Sequence, residues 1–429
     1  MGTNRRQFLA TAIASGLAAS IPLSSKAQSK ASVGTENITD NYAKLDEILN
    51  QPVFKKGLFT SPVIIDKLEL LRNGNSFICH VRSKDGAEGF SVGHSGMLRT
   101  LYPIFNNLLH PFFINKDARD LDKILERVYI YQLNYRLNGI GLGVPIATIE
   151  FAILDMMGHI AQKTMGQLIG GEIHNPNVNV YQATEYREKS VADSMELIKS
   201  DVAEYDAKAL KIKIGGLMFG TSELNPIAPP GRTEEIIPLV RKTFGDQMTL
   251  YADSNGFYSV KEAIRVSKLL KEYNFQFFEE PVPFDWYEET RQVAEAISLP
   301  VAGGEQEYSL HGFRWLIANN GLQIVQPDTF YFGGMIRSMK VALMANALGK
   351  QCTPHMTGGD MGFLYMMHFV SALPNALHYH EFKGFKTDIV YECKTSPLQS
   401  VNGLVKVPTG PGSGITIDPD FIKKYQVVK

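Results

Sequence analysis

A chain of 429 residues is longer than one hydrophobic core usually serves, so two domains are the first expectation. Hydrophobic residues make up 44% and charged residues 20%, and the formal net charge is −1. That balance offers no handle for nucleic acid or an anionic membrane surface.

The first 27 residues read as an export leader. Thr3-Asn4-Arg5-Arg6-Gln7-Phe8-Leu9 leads into an apolar, small-residue run from Leu9 to Leu23, and Ser25-Lys26-Ala27 offers a cleavage site. Paired arginines followed by Phe-Leu point to the twin-arginine route, hence to a periplasmic or otherwise exported protein. That route carries folded proteins, which suits an enzyme that takes up a metal before export. The run is short and holds Ser15, Gly16 and Ser20, so no stable membrane span is expected after cleavage. No other stretch reads as apolar enough to cross a bilayer. The cysteines Cys79, Cys352 and Cys393 lie far apart, without metal-site spacing, and read as buried apolar fillers.

Residues 28–60 read as a polar linker or arm with one helix, Tyr42–Leu49. An α+β unit is expected over 61–175. Val63–Arg72 and Ser76–Ser83 are β-prone runs around the turn signal Asn73-Gly74-Asn75. Helical periodicity follows over Ala118–Leu133 and Pro145–Leu168, and Gly170-Gly171 stops the second helix.

Over 176–385, strand and helix patterns alternate, which means a parallel sheet. Eight strands are expected to end near Ala183, Ile214, Asp253, Glu279, Glu305, Asp328, His355 and Glu381. Eight is the closing number of a (β/α)8 barrel. The last six of these residues recur at separations of 26, 26, 23, 27 and 26 residues, each after a short apolar or β-prone run. Charged residues that keep step with the strands gather at the face where barrel enzymes do chemistry. The long Gly- and Pro-rich segment Gly215–Gly231 leaves the second strand on that face and is a candidate substrate loop.

Asp253, Glu279 and Glu305 are placed on neighbouring strands about 5 Å apart. Three carboxylates so close repel unless a cation neutralises them, and hard oxygen donors favour Mg²⁺, with Mn²⁺ as the alternative. Glu280 points to the other side of its strand. Lys211 and Lys213 alternate to one side of the second strand, and each disfavours the other's charge, so one is a candidate neutral base. Asp328 beside His355 would fix the imidazole's tautomer and raise its basicity. Glu381 is a candidate proton holder and donor to an oxyanion. A metal between two bases suits removal of the proton α to a carboxylate. Bases on both faces permit racemisation; a base and an acid permit loss of a β-hydroxyl.

Lys211-x-Lys213, Asp253-x-Asn255, Phe278-Glu279-Glu280-Pro281, Gly304-Glu305, Asp328, His355 and Glu381 resemble the motifs of the enolase superfamily, mandelate racemase subgroup, over roughly Val63 to Tyr425. The resemblance implies an α/β fold, a (β/α)8-type barrel with an α+β capping domain formed by the N-terminal block and residues 386–429. It implies Mg²⁺ on Asp253, Glu279 and Glu305. Lys213 becomes the base on one face, helped by Lys211, and His355 with Asp328 works on the other. Glu381 stabilises an enediolate. Ile153-Leu154-Asp155 and Gly166–Gly171 resemble the closing helix of the cap, and Pro408–Ile415 the segment returning to it. A homo-oligomer is implied too.

The reaction expected is dehydration of a sugar acid to a 2-keto-3-deoxy acid. Racemisation, epimerisation and cycloisomerisation of an anhydro-sugar acid are the alternatives, and a periplasmic sugar-acid binding or sensory protein is the alternative of another class. Cap loops around Ser91–Gly96 and Asn134–Gly139 should face the site, with His94 and Tyr135 as guesses for substrate contact.

Overall fold

In the structure, a computed structural model, residues 33–131, 137–187, 189–216 and 231–429 are described. The expected export leader, Tyr135 and most of the Gly215–Gly231 loop lie outside them. The helix Val33–Leu49 opens the described chain, and the residues from Asp40 onward form one compact unit.

The hairpin forms as its turn signal predicts. Strands Ile65–Asn73 and Ser76–Ser83 pair antiparallel, with Asn73 facing Ser76 and Gly74 at φ +57°. That backbone region is open to glycine without a Cβ penalty. A third strand, Glu88–Val92, extends the sheet beyond the sequence expectation. On the opposite edge Gln426–Val427 pairs with Leu71 and Arg72, so the C-terminus returns to this sheet.

The sheet packs on the helix Ile140–Ala161. This helix is long and apolar enough to cross a membrane by length and composition, contrary to the expectation that no such stretch existed, but it is buried inside the fold. It is a core helix. The expected single helix Pro145–Leu168 is in fact two. Gln162 takes a left-handed conformation (φ +53°), and Thr164 starts Met165–Gly170 with a reciprocal capping box to Gln167. The helix expected over Ala118–Leu133 is trimmed to Leu121–Val128, after a short 3₁₀ turn.

Asp155, on this core helix, binds two other pieces of chain. Its Oδ2 accepts the Phe90 N–H at 3.0 Å, and its Oδ1 accepts the Ser413 N–H and Oγ–H, each at 2.8 Å. A Cβ on Gly412 would lie 2.4 Å from that Oδ1, so the close approach requires glycine. Cys79 and Cys352 are buried and Cys393 half-buried; all three are free.

The barrel follows from eight short parallel strands, Asn177–Ala183, Ala209–Lys213, Thr249–Asp253, Phe275–Glu279, Val301–Gly303, Ile324–Val325, Gln351–Cys352 and His380–Phe382, each beside the next. The eighth pairs back on the first, with Glu381 facing Tyr181, and a parallel bridge from Cys352 to Ala376 closes the remaining gap. Side chains alternate, so Lys211, Lys213, Asp253 and Glu279 share the interior side with Ala209, Tyr251 and Phe277. The apolar floor is Tyr181, Tyr251 and Phe277, the last two stacked at 4.1 Å. Fully burying one such ring contributes about 1.5–3 kcal/mol. Charged residues occupy the layer above it, at the strands' carboxyl ends.

Candidate active site

Asp253 and Glu279 end the third and fourth strands and face each other in register. Glu305 does not end the fifth; it lies two residues past Gly303, in the following loop. Gly304 turns the chain there at φ +110°, where a Cβ would press within 2.4 Å of the Phe313 ring. Asp328 and His355 likewise sit three residues beyond Val325 and Cys352. The later strands are shorter than expected, and loops carry these side chains.

The structure still brings the three metal-ligand candidates together. Each of Asp253, Glu279 and Glu305 is buried, and one carboxylate oxygen from each lies within 4.8 Å of the others. Lys211 Nζ donates to both oxygens of Glu279, each at 2.8 Å, and Gln326 Nε2 adds a third bond at 2.8 Å. Lys213 Nζ bonds Asp253 Oδ2, and also Asn255 Oδ1 at 2.9 Å. Asn255 Nδ2 in turn donates to Glu305 Oε1 at 3.2 Å.

Burial opposes the charge on both lysines. For Lys211 the carboxylates of Glu279 and Glu381 outweigh it, and for Lys213 those of Asp253 and Glu185, so both pKa values rise. Each ammonium has a carboxylate beside it, which opposes the mutual repulsion expected of the lysine pair. The triad remains short of positive charge. Burial and then Asp253 push Glu279 above the carboxylate range. Glu305 Oε2 is buried without a hydrogen-bond partner among the described residues. Hard oxygen donors, an unmatched oxygen and residual repulsion fit a divalent cation held by Asp253, Glu279 and Glu305. Glu280 is no part of this cluster; it is buried on the other side of its strand, at φ +40°.

His355 Nδ1 bonds Asp328 Oδ2 at 2.7 Å, and Asp328 Oδ1 is fixed by the N–H groups of Phe330 and Tyr331, both at 2.8 Å. This leaves Nε2 facing the site, 3.5 Å from Glu305 Oε2 and 3.9 Å from Glu381 Oε2. Burial works against an imidazolium, but Glu305, Glu381 and Asp328 outweigh it and push His355 up to about 9. Around Glu381, the expected proton holder, the neighbouring cations favour the anion. Burial resists its ionisation, yet Lys211, Lys383 and His355 hold it well below the usual carboxylate range. It therefore accepts, taking the Met356 N–H at 2.8 Å.

Sequence reasoning missed several neighbours. Lys383 Nζ pairs with Glu185 Oε1 at 3.0 Å and lies 3.6 Å from Glu381 Oε1. Arg187 Nη2 donates to Asn255 Oδ1 at 2.9 Å. Alternation could have found Lys383 and Glu185, since they stand two residues past Glu381 and Ala183 on the same side. Of the cap guesses, His94 meets the barrel: its Nε2 is 3.1 Å from Thr357 Oγ1, which lies 3.0 Å from Tyr331 Oη. The Tyr331 ring lies near-parallel to that of His355, with centroids 6.1 Å apart.

Residues 193–421, over half of the chain, match the family model described as enolase C-terminal domain-like. The chain is 24% identical over 351 residues to arabinonate dehydratase of Saccharolobus solfataricus, covering 81% of this chain and 89% of that one. It is 28% identical over 326 residues to D-galactarolactone cycloisomerase of Agrobacterium fabrum, covering 74% and 82%. Among solved structures, a mandelate racemase/muconate lactonizing protein from Paracoccus denitrificans PD1222, complexed with magnesium, shares the fold at TM-score 0.74 and 23% identity, covering 86% of this chain and 99% of that one. The architecture, the acidic triad and the family match together show that the chain belongs to the enolase superfamily.

Proposed function

We propose that this protein removes the proton α to the carboxylate of a sugar acid and expels the β-hydroxyl, giving a 2-keto-3-deoxy acid. The observation that carries the reading is the arrangement around the buried triad. A lysine is bonded to Asp253 on one side, and an Asp328-oriented imidazole stands 3.5 Å from Glu305 on the other. A cation bound by Asp253, Glu279 and Glu305, Mg²⁺ by its donor set, would neutralise the substrate carboxylate and so ease loss of the adjacent proton. Lys213 and His355 are the proton-transfer groups; the carboxylates beside them favour their protonated forms, and a cation bound by Asp253 and Glu305 would weaken that hold and allow the neutral form that takes a proton. The substrate's configuration decides which takes the α-proton and which gives one to the leaving hydroxyl. Lys211 holds Glu279 and Glu381 in place. Glu381, ionised and fixed by the Met356 N–H, orients the charged groups around the reacting carbons.

Relatives named as dehydratases and as cycloisomerases support a lyase first and an isomerase second. A binding or sensory protein would need no proton-transfer group on both sides of a metal site. Incubation with a library of sugar acids tests the reading. Formation of 2-keto acid is expected. Inversion at the α-carbon alone, or ring rearrangement without keto acid, would move the protein to the isomerases. Asp253→Asn, Glu279→Gln and Glu305→Gln should each strip bound Mg²⁺, measured by calorimetry, and leave the fold's circular dichroism unchanged.

We also place the protein outside the cytoplasm by the twin-arginine route, on its Arg5-Arg6 leader sequence. Arg5→Lys with Arg6→Lys should retain the protein in the cytoplasm, read by fractionation. Export of that double variant at the wild-type level would refute the route.

A further inference from the structure

The Lys383–Glu185 pair is a charged group of the mouth that the mechanism does not use. Lys383 follows the last strand, two residues past Glu381, and Glu185 follows the first, two residues past Ala183. Both side chains are more exposed than that of Glu381, so the pair lies on its solvent side. They are the open end of a chain of charge. The Lys383 side chain is 31% exposed and that of Glu185 58% exposed, whereas Glu381 is 1% exposed. The triad lies at the ends of strands three to five, and this pair at the ends of strands eight and one, across the barrel mouth. An acid whose carboxylate and α-carbon sit at the triad sends its remaining carbons from there toward the mouth.

The charge balance there is asymmetric. Lys383 is already shared by two carboxylates, Glu185 at 3.0 Å and Glu381 at 3.6 Å. Glu185 stays ionised: burial resists this, and Lys213 and Lys383 outweigh it. A second carboxylate on the substrate would meet the Glu185 anion and compete for a cation that has no charge to spare. Hydroxyl groups suit the pair, since the ammonium donates to them and the carboxylate accepts from them.

We propose that Glu185 and Lys383 are specificity-determining residues that select polyhydroxy monocarboxylates, the aldonic acids, and reject the dicarboxylic aldaric acids. This rests on the reading of the site as acting on sugar acids. The test compares matched pairs that differ only at the distal carbon: gluconate with glucarate, galactonate with galactarate, mannonate with mannarate. Binding in the presence of Mg²⁺ is read by calorimetry and turnover by keto-acid formation. In the best-bound pair the wild type should favour the monoacid by about tenfold or more, the size expected of one like-charge contact near solvent. Glu185→Gln should cut that ratio at least about fivefold by improving the diacid, and Lys383→Gln should widen it, because Glu185 is then unopposed. A merely structural role would move both members of a pair alike. Preference of the wild type for the diacid, a ratio unchanged in Glu185→Gln, or no binding of any pair would overturn the assignment. Binding with the predicted ratios but without turnover would leave it standing and remove the dehydratase reading instead.

Discussion

His355 depends on a single carboxylate for its orientation. Asp328 accepts a hydrogen bond from the Nδ1–H at 2.7 Å and is itself held by two backbone N–H groups. On the proposed mechanism, replacing the imidazole, as in His355→Asn, removes a proton-transfer group and should lower kcat by about 10²–10⁴-fold. Asp328→Asn leaves the ring present but unlocks its tautomer, so a smaller loss is expected, about 10–100-fold. Equal rates for both variants and wild type on the true substrate would make these residues structural. His368 offers a residue-scale test that needs no substrate. Its Nε2–H bonds the Ser413 carbonyl at 2.8 Å, its Nδ1 is buried without a partner among the described residues, and burial lowers its pKa to about 4. The unfolded chain, with histidine near 6.5, binds more protons than the native state between these values. Stability is therefore full above about pH 6.5 and falls as pH drops toward 4, by up to about 1.4 kcal/mol per unit from this group. His368→Gln keeps a donor for Ser413 and cannot titrate. Its thermal melts between pH 7 and 5 should show a shallower acid slope than wild type; a parallel slope would contradict the assignment.

Elements meet at Asp155, where a cap strand, the core helix and the C-terminal segment share one carboxylate. Asp155→Ala strands the N–H groups of Phe90 and Ser413. Each buried unpaired donor costs about 1–3 kcal/mol, so a total of about 2–5 kcal/mol is expected, seen as a lowered melting temperature. A melt within a degree of wild type would show that water or relaxation replaces the bonds. Legibility in the sequence also varied by element. The second, third and fourth barrel strands are five residues each, with clean alternation, so Asp253 and Glu279 could be placed at strand ends. The fifth to seventh have only two or three paired residues. An apolar run could not reveal where pairing stopped and the loop carrying Glu305, Asp328 or His355 began. The cap strand Glu88–Val92 was missed because Gly89 interrupts its β pattern. A Cβ there would fall 2.3 Å from the Ala152 carbonyl oxygen, so the strand needs that glycine to approach the helix. The capped break at Gln162 was hidden inside an apolar periodicity that runs through it.

At the scale of the whole molecule, the barrel delivers charge to one mouth above an apolar floor, and the cap reaches it through His94. The identity of the charged residues was readable because their spacing follows the strand–helix unit. Their protonation was not, since it follows from partners that only the closed barrel assembles: Lys211 on Glu279, and Lys383 and Lys211 on Glu381. The central claim is that this mouth removes a proton next to a carboxylate with the help of a divalent cation. Incubation of the purified protein with sugar acids in D₂O, followed by ¹H NMR at the α-carbon, measures that step directly. The account predicts that deuterium enters the α-position of substrate or its β-deoxy product with Mg²⁺ present, and that incorporation ceases with EDTA and returns when Mg²⁺ is restored. Undiminished incorporation by the metal-stripped protein, or tight binding of acids with no incorporation under any condition, would contradict it.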